Sequence, residues 1–326
     1  MMKYDVITFG SATLDIFVRS KNFWLKKEKK FATGQGVCFP FPSKVDLEDV
    51  VLTTGGGGTN TAATFANQGF KVAYCGKIGE DLMGEKLIKE LERLGVDTKF
   101  VFKTCEKPSN CSIIFSLEHD RTCFVWRGAS ELLKKKEIPW NELRTKWFYL
   151  APLSGKLANL FSPLVNFAKE NKIKIACNLG NSQINLGEKI LKPILSKVDI
   201  LILNQEEASL LTQISYQKEK EVFKKLDELI PGIAVMTKGR RGVVVSDGKY
   251  LFEAGALPVK YVEKTGAGDA LGSGFLTGFI QKQDVSYAIQ LGIANATACI
   301  QEIGAKAGLL KKGQSWLKVK VKKKSL

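Results

Sequence analysis

The chain has 326 residues, 44% of them apolar, with a formal charge of +16, seven cysteines and one histidine. That length can bury a large α/β core, and no apolar run approaches the ~18 residues that a membrane span needs. A single histidine, His119, argues against a multi-histidine metal site or a Ser-His-Asp triad. Cys38, Cys75, Cys105, Cys111, Cys123, Cys177 and Cys299 form no C-x-x-C and no metal spacing, so they are expected to be reduced and mostly buried. The opening residues Met1-Met2-Lys3-Tyr4-Asp5 lack the apolar core and cleavage site of a signal peptide, which predicts a cytoplasmic protein. Lysines cluster at 26–30, at 134–136 and along the basic tail at 311–326. No nucleic-acid motif accompanies them, so they read as solvated surface rather than a nucleic-acid footprint. A positive field of this kind also collects polyphosphate substrates.

In chain order, Val6-Ile7-Thr8-Phe9 is of strand length, and His119 precedes Asp120 in an expected turn. Two stretches, about 16–54 and 109–127, carry short alternating segments such as Ile16-Phe17-Val18, Cys111 to Ser116 and Thr122 to Trp126. They predict one small β-layer built from two insertions, a lid of the kind that excludes water from a reaction; a pair of ordinary surface hairpins is the plainer alternative. From about residue 70 strands and helices alternate. Val72 to Cys75, Trp147 to Ala151, Ile173 to Asn178, Val198 to Asn204 and Gly232 to Thr237 read as strands. Between them lie helical stretches at Gly84 to Leu94, Leu160 to Glu170, Leu186 to Leu195, Glu206 to Leu211 and Lys218 to Leu229. Asp247-Gly248 sits between two apolar runs as a hairpin turn. Long helices are expected at Asp269 to Gln281 and Val285 to Glu302, and a frayed tail after Gly313. This rhythm predicts an α/β fold with a mostly parallel central sheet and helices on both faces. Ligands of such sheets bind at the carboxyl ends of the strands.

Two glycine-rich stretches carry chemistry. In Thr265-Gly266-Ala267-Gly268-Asp269 two glycines flank an alanine just before a helix. Amides there can approach an anion without side chains in the way, and the helix N-terminus adds partial positive charge. An aspartate would repel a phosphate, but it makes sense as a base that takes a proton from a hydroxyl attacking that phosphate. Taken alone, the segment reads equally as a turn with Asp269 as N-cap. The second stretch, Thr54-Gly55-Gly56-Gly57-Gly58-Thr59-Asn60-Thr61-Ala62-Ala63, matches neither the P-loop nor the dinucleotide fingerprint. Its glycines and Asn60 could hold a hydroxyl-rich ligand against backbone amides.

Together these segments resemble the ribokinase-like (PfkB) family of carbohydrate and nucleoside kinases over nearly the whole chain. Phe9 to Asp15, Gly55 to Ala62, Gly69 to Asp97, Asn204-Gln205-Glu206-Glu207, Thr237 to Gly242 and Thr265 to Asp269 stand in the family's order and spacing. The resemblance implies one kinase domain over 1–326, a Rossmann-like sheet with a β-lid, ATP as donor and Mg2+. It implies Asp269 as catalytic base and the amides of Gly266, Ala267 and Gly268 as anion hole. It places Asp15, Gly56, Gly57 and Asn60 at the acceptor, and Asn178, at a strand end, is a further candidate there. It assigns Asn204, Thr237, Lys238, Gly239, Gly242, Thr265 and Asn295 to ATP, and Glu207 to Mg2+ through water. Glu263 is the candidate ligand for a monovalent cation. The activity implied is transfer of the γ-phosphoryl group of ATP to a hydroxyl of a sugar, as in ribokinases and fructokinases; the alternative is a nucleoside kinase of the same family. A homodimer through the lid is the expected assembly, with neither membrane nor nucleic acid as partner. Three departures weaken the ribose reading and potassium use: Gly57 where ribokinases carry lysine, Thr13 where they carry asparagine, and Glu263-Lys264-Thr265 where the signature opens Asp-Thr-Thr. Phe39, Phe41, Phe115, Phe124 and Trp126 lie in the lid segments, where they either pack or stack on a base.

Overall fold

The structure is a computed structural model that describes residues 3–31, 33–117 and 120–326. His119, and with it the turn expected before Asp120, lies outside the described residues, as do Met1 and Met2. In chain order the elements are β1 (Tyr4–Phe9), β2 (Thr13–Arg19), β3 (Trp24–Lys27), β4 (Gln35–Cys38), β5 (Asp49–Gly55), α1 (Gly57–Asn67), β6 (Val72–Gly79), α2 (Leu82–Arg93), β7 (Val101–Thr104), β8 (Asn110–Leu117) and β9 (Asp120–Trp126). There follow β10 (Thr145–Leu150), α3 (Phe161–Glu170), β11 (Lys174–Asn178), α4 (Asn181–Ile184), α5 (Glu188–Leu195), β12 (Ile200–Asn204), α6 (Gln205–Thr212), α7 (Glu219–Leu229) and β13 (Ile233–Thr237). The chain ends through β14 (Val243–Ser246), β15 (Tyr250–Ala254), α8 (Ala267–Lys282), α9 (Val285–Cys299) and β16 (Lys322–Ser325).

The central sheet has the order β16-β15-β14-β13-β12-β11-β10-β1-β6-β7. From β7 to β13 every pairing is parallel, and from β13 to β16 every pairing is antiparallel. The parallel strands are unbroken apolar runs because both their faces are covered. In β12, Leu201 and Leu203 face one helical layer with Leu164 of α3 and Leu226 of α7. Ile200 and Ile202 face the other, with Phe65 of α1, Leu87 of α2 and Phe275 of α8. Each such side chain, fully removed from water, contributes about 1.5–3 kcal/mol. The carboxyl ends of β11, β12 and β13, at Asn178, Asn204 and Thr237, open on the same edge, which is where the site forms.

A second sheet runs β5-β2-β8-β9, with β2–β8 parallel and its other two pairings antiparallel. Side chains alternate across it. Asp15, Phe17, Thr53, Ser112, Ile114, Ser116, Arg121 and Cys123 share one row by register. Val50, Leu52, Ile113, Phe124 and Trp126 share the opposite row and are 40–57% exposed.

Two expectations are corrected. The basic tail does not fray throughout: Lys322–Ser325 pairs antiparallel with β15. The open edge of β15 offers unpaired backbone groups, Lys323 lies 3.7 Å over the Tyr250 ring, and Val319 and Val321 pack on the core beside it. The cysteines are unpaired, but only Cys75, Cys177 and Cys299 are buried, while Cys105 and Cys123 are exposed. Cys123 sits on β9, the edge strand of the small sheet.

Candidate active site

Two helix N-termini meet here. Helix α1 starts after Gly56, whose φ of 94° suits glycine alone. Helix α8 starts after Gly266 with φ 81°, and no side chain caps it. Asp269, in the first turn of α8, is therefore not the N-cap of the plain reading; its carboxylate accepts a 2.8 Å bond from Nδ2 of Asn60 on α1. The other polar atom of that amide, Asn60 Oδ1, is buried without a partner among the described residues. An orphaned acceptor of this kind suits a donor hydroxyl from a ligand. Burial pushes Asp269 above the usual carboxylate range, against the Asn60 bond and the charge of Lys306.

Asp15 stands on β2, 4% exposed. Burial pushes it up to about 6, opposed by Lys306 and by a bond from Ser112. Lys306 was not foreseen from the sequence. It is 7% exposed, its Nζ lies 3.1 Å from Thr54 Oγ1, and burial lowers it to about 8 despite the charges of Asp15, Glu90 and Asp269. It lies after the two glycine motifs, in a loop with no periodic signal, so only tertiary packing reveals it. One ammonium thus offsets two carboxylates that would otherwise repel each other in a dry site. In Lys306→Met both carboxyl groups should rise, so the acid limb of kcat/KM should move upward by about one pH unit. A pH–rate profile checks this, and an unchanged acid limb would contradict it.

A cavity of about 660 Å3 runs along β13 and the start of α8, lined by Thr237, Gly239, Gly242, Leu257, Tyr261 and Thr297 among others. Its volume is within the range of small-molecule sites. A second cavity of about 250 Å3 holds Asn178, Asn204, Glu207, Arg121 and Asp269. Both are lined by Thr237, Lys264, Ala267 and Gly268, so they form one trench ending at Asp269. A Cβ on Gly268 would meet nothing within 4 Å; the loop is open to that trench. The Ala267 N–H donates to Lys264 O at 3.3 Å, a long bond that an anion can compete for.

Several sequence candidates take other places. Asn178 lines the inner cavity together with Glu207, Arg121 and Asp269. Asn295 is 1% exposed and does not line the cleft. Its amide is spent on Ala270 O, Thr64 Oγ1 and Leu310 N, which pin α9 to α8, α1 and the following loop; its neighbours Ala296 and Thr297 line the cleft instead. Lys238 turns away to Glu219 at 2.8 Å and Glu253 at 3.7 Å. Thr265 donates to Glu263 at 3.0 Å. Gly56 and Gly57 provide close approach: a Cβ on Gly56 would lie 2.5 Å from Ser11 O, and one on Gly57 3.5 Å from Asp269 Oδ1. Of the lid aromatics, Phe115, Phe124 and Trp126 fall on the row opposite Asp15, and Phe115 packs edge-on to Phe23 and Phe124. Phe39 meets Phe23, and Phe41 is 92% exposed. Phe17, on the Asp15 row, is the aromatic that the sequence pattern overlooked.

Glu207 and Asn204 form a reciprocal cap on α6, each accepting from the other's backbone N–H at 2.8 Å. Burial raises Glu207, against that Asn204 bond. Among the described residues no group of three or more His, Cys, Asp or Glu could hold a metal alone. That donor set suits Mg2+, which keeps waters and leans on substrate phosphates as well as one or two carboxylates. Glu263 is surrounded by donors: its oxygens accept from Lys264 N (2.7 Å), Thr265 N (3.0 Å), Thr265 Oγ1 (3.0 Å), Arg121 Nη1 (3.1 Å) and Ser116 Oγ (3.2 Å).

The fold and its trench are those of a phosphotransferase with an alcohol group as acceptor. The chain belongs to the pfkB family of carbohydrate kinases, whose family model matches residues 20–312. It is 27% identical over 270 residues to a ribokinase of Haemophilus influenzae, covering 79% of this chain and 84% of that one. It is 27% identical over 258 residues to a cytidine kinase of Thermococcus kodakarensis, covering 78% of this chain and 90% of that one. The structure of Arabidopsis thaliana ribokinase complexed with ribose and ATP matches the fold with a TM-score of 0.76 at 18% identity, covering 95% of this chain and 96% of that one. No helix among the described residues is long and apolar enough to cross a membrane.

Proposed function

We propose that the chain transfers the γ-phosphoryl group of ATP to a hydroxyl of a small sugar, with Asp269 as general base. The carrying observation is the Asp269 carboxylate, held by Asn60 Nδ2 at 2.8 Å where the trench ends. A carboxylate there, raised by burial, is a competent base for an alcohol already aligned on a phosphoryl group. Asp15 and Asn60 Oδ1 accept from acceptor hydroxyls and fix its orientation. The amides of Gly266, Ala267 and Gly268 receive charge on the transferred group. Thr237, Gly239 and Gly242 line the nucleotide end of the trench. Glu207, through water, and Asn204 would hold Mg2+, and the ion would supply neutralisation of phosphate charge.

The acceptor row favours a sugar. Asp15, Thr53 and Ser112 are polar and closely set, while Phe115, Phe124 and Trp126 point to the other face. The nucleoside reading rests on Phe17, buried in the same row as Asp15. ADP release from MgATP, measured across ribose, fructose, other sugars, phosphosugars, adenosine, guanosine and cytidine, separates the two. Stimulation by a sugar is expected; stimulation by nucleosides alone would overturn the sugar assignment.

A further inference from the structure

Glu263 lies between β15 and α8, at the entrance to the loop that carries Gly266, Ala267 and Gly268. Its side chain is 6% exposed. Among the described residues every contact on its two oxygens is an N–H or O–H donor, four on Oε1 and one, from Ser116, on Oε2, and a cation site needs the opposite, lone pairs left for the ion. Two of the donors come from the lid. Ser116 on β8 and Arg121 on β9 are direct register partners, and both reach across to this one carboxylate. The other three come from Lys264 and Thr265, so the same carboxylate fixes the turn that leads into the amides. Arg121 also lines the inner cavity beside Asp269 and Glu207. A guanidinium has five donors in a planar fork, enough to serve a carboxylate and border a phosphate site together.

We infer that Arg121 supplies from the lid the positive charge that Glu263 would otherwise draw from a soluble monovalent cation, and that this pair ties lid seating to the shape of the anion-hole loop. Arg121 is thus a positioning residue: it acts on the transferred group through Glu263 and the 264–268 turn. The seated lid brings two donors, one of them charged, to the carboxylate that holds the 264–265 turn, so losing them loosens that turn. No potassium requirement follows, because the position is filled by the chain itself.

The test uses the full chain in potassium, sodium or tetramethylammonium chloride at one ionic strength. Melting temperature is read on the protein alone, and kcat and KM with MgATP and whichever acceptor is turned over. Wild type is expected to melt at one temperature and turn over within about twofold in all three salts, because screening then acts equally. Arg121→Gln is expected to lose roughly 10²-fold in kcat, the scale of one mispositioned anion-hole donor, with a smaller change in KM for ATP. Low-millimolar guanidinium should restore part of that rate and raise the melting temperature of Arg121→Gln but not of wild type. Arg121→Lys should retain more rate than Arg121→Gln. A potassium-specific gain in rate or melting temperature for wild type would overturn the inference. So would an Arg121→Gln chain with wild-type kcat and no response to guanidinium. The inference rests on the kinase reading only for its kinetic arm. If no acceptor is turned over, that reading fails, while the melting temperatures still decide whether Glu263 is already filled.

Discussion

Asp269→Asn is expected to lower kcat by about 10²–10⁴-fold, the usual contribution of a positioned general base. The amide keeps the shape of the side chain and sits beside Asn60, so the trench and the amides of α8 remain. ATP affinity should therefore change little. Because the substitution removes an interaction with the reacting hydroxyl, kcat and kcat/KM should fall together. Substitution also removes one of the two carboxylates that Lys306 offsets, so the chain should fold at least as well as wild type; a melting curve separates lost chemistry from lost structure. Steady-state kinetics with binding of ATP measured separately checks the result, and near-normal turnover would show that another group takes the proton.

Gly266→Ala should have the next largest effect. At φ 81° the residue is in the left-handed region, which costs a residue with a side chain about 1–2 kcal/mol. The added Cβ would also lie 2.4 Å from the Ala305 Cβ and 2.8 Å from its Cα. Ala305 is buried and cannot yield without moving its loop, which continues into Lys306. The backbone at 266–268 must therefore shift, and the loss of one well-aimed anion-hole donor is worth about 10²–10³-fold in kcat. ATP affinity should weaken as well, since Ala267 and Gly268 line the nucleotide cleft. Gly268→Ala is the matched control: its Cβ would enter open space within a helical turn, so stability should hold. Wild-type kcat in a destabilised Gly266→Ala chain would mean that these amides do not receive the transferred charge.

Much of this arrangement was legible along the chain. The apolar runs at Ile175–Cys177, Ile200–Leu203 and Ile233–Met236 announce strands covered on both faces. The two glycine motifs announce two helix starts, and their Asn60 and Asp269 meet across 209 residues of sequence. What stayed hidden depends on which side chain finds which partner. Lys238 and Asn295 sit in motifs that suggest nucleotide contact, yet a neighbouring carboxylate pair captures one and helix packing consumes the other. Arg121 is one basic residue among many until the β8–β9 register sets it opposite Ser116 and over Glu263. Lys306 shows no periodicity or motif of its own; burial beside Asp15 and Asp269 gives it meaning. The C-terminal strand is lysine-rich and reads as solvent-facing tail, because edge pairing is a property of β15 and not of residues 322–325.

The most direct test follows label from the γ-position of ATP into product, with wild type and Asp269→Asn run side by side on the best acceptor of the panel. The account predicts label in a phosphate ester of that acceptor for wild type, formed one-for-one with ADP, and only a trace for Asp269→Asn. Label found solely as inorganic phosphate, or equal ester from both chains, would contradict it.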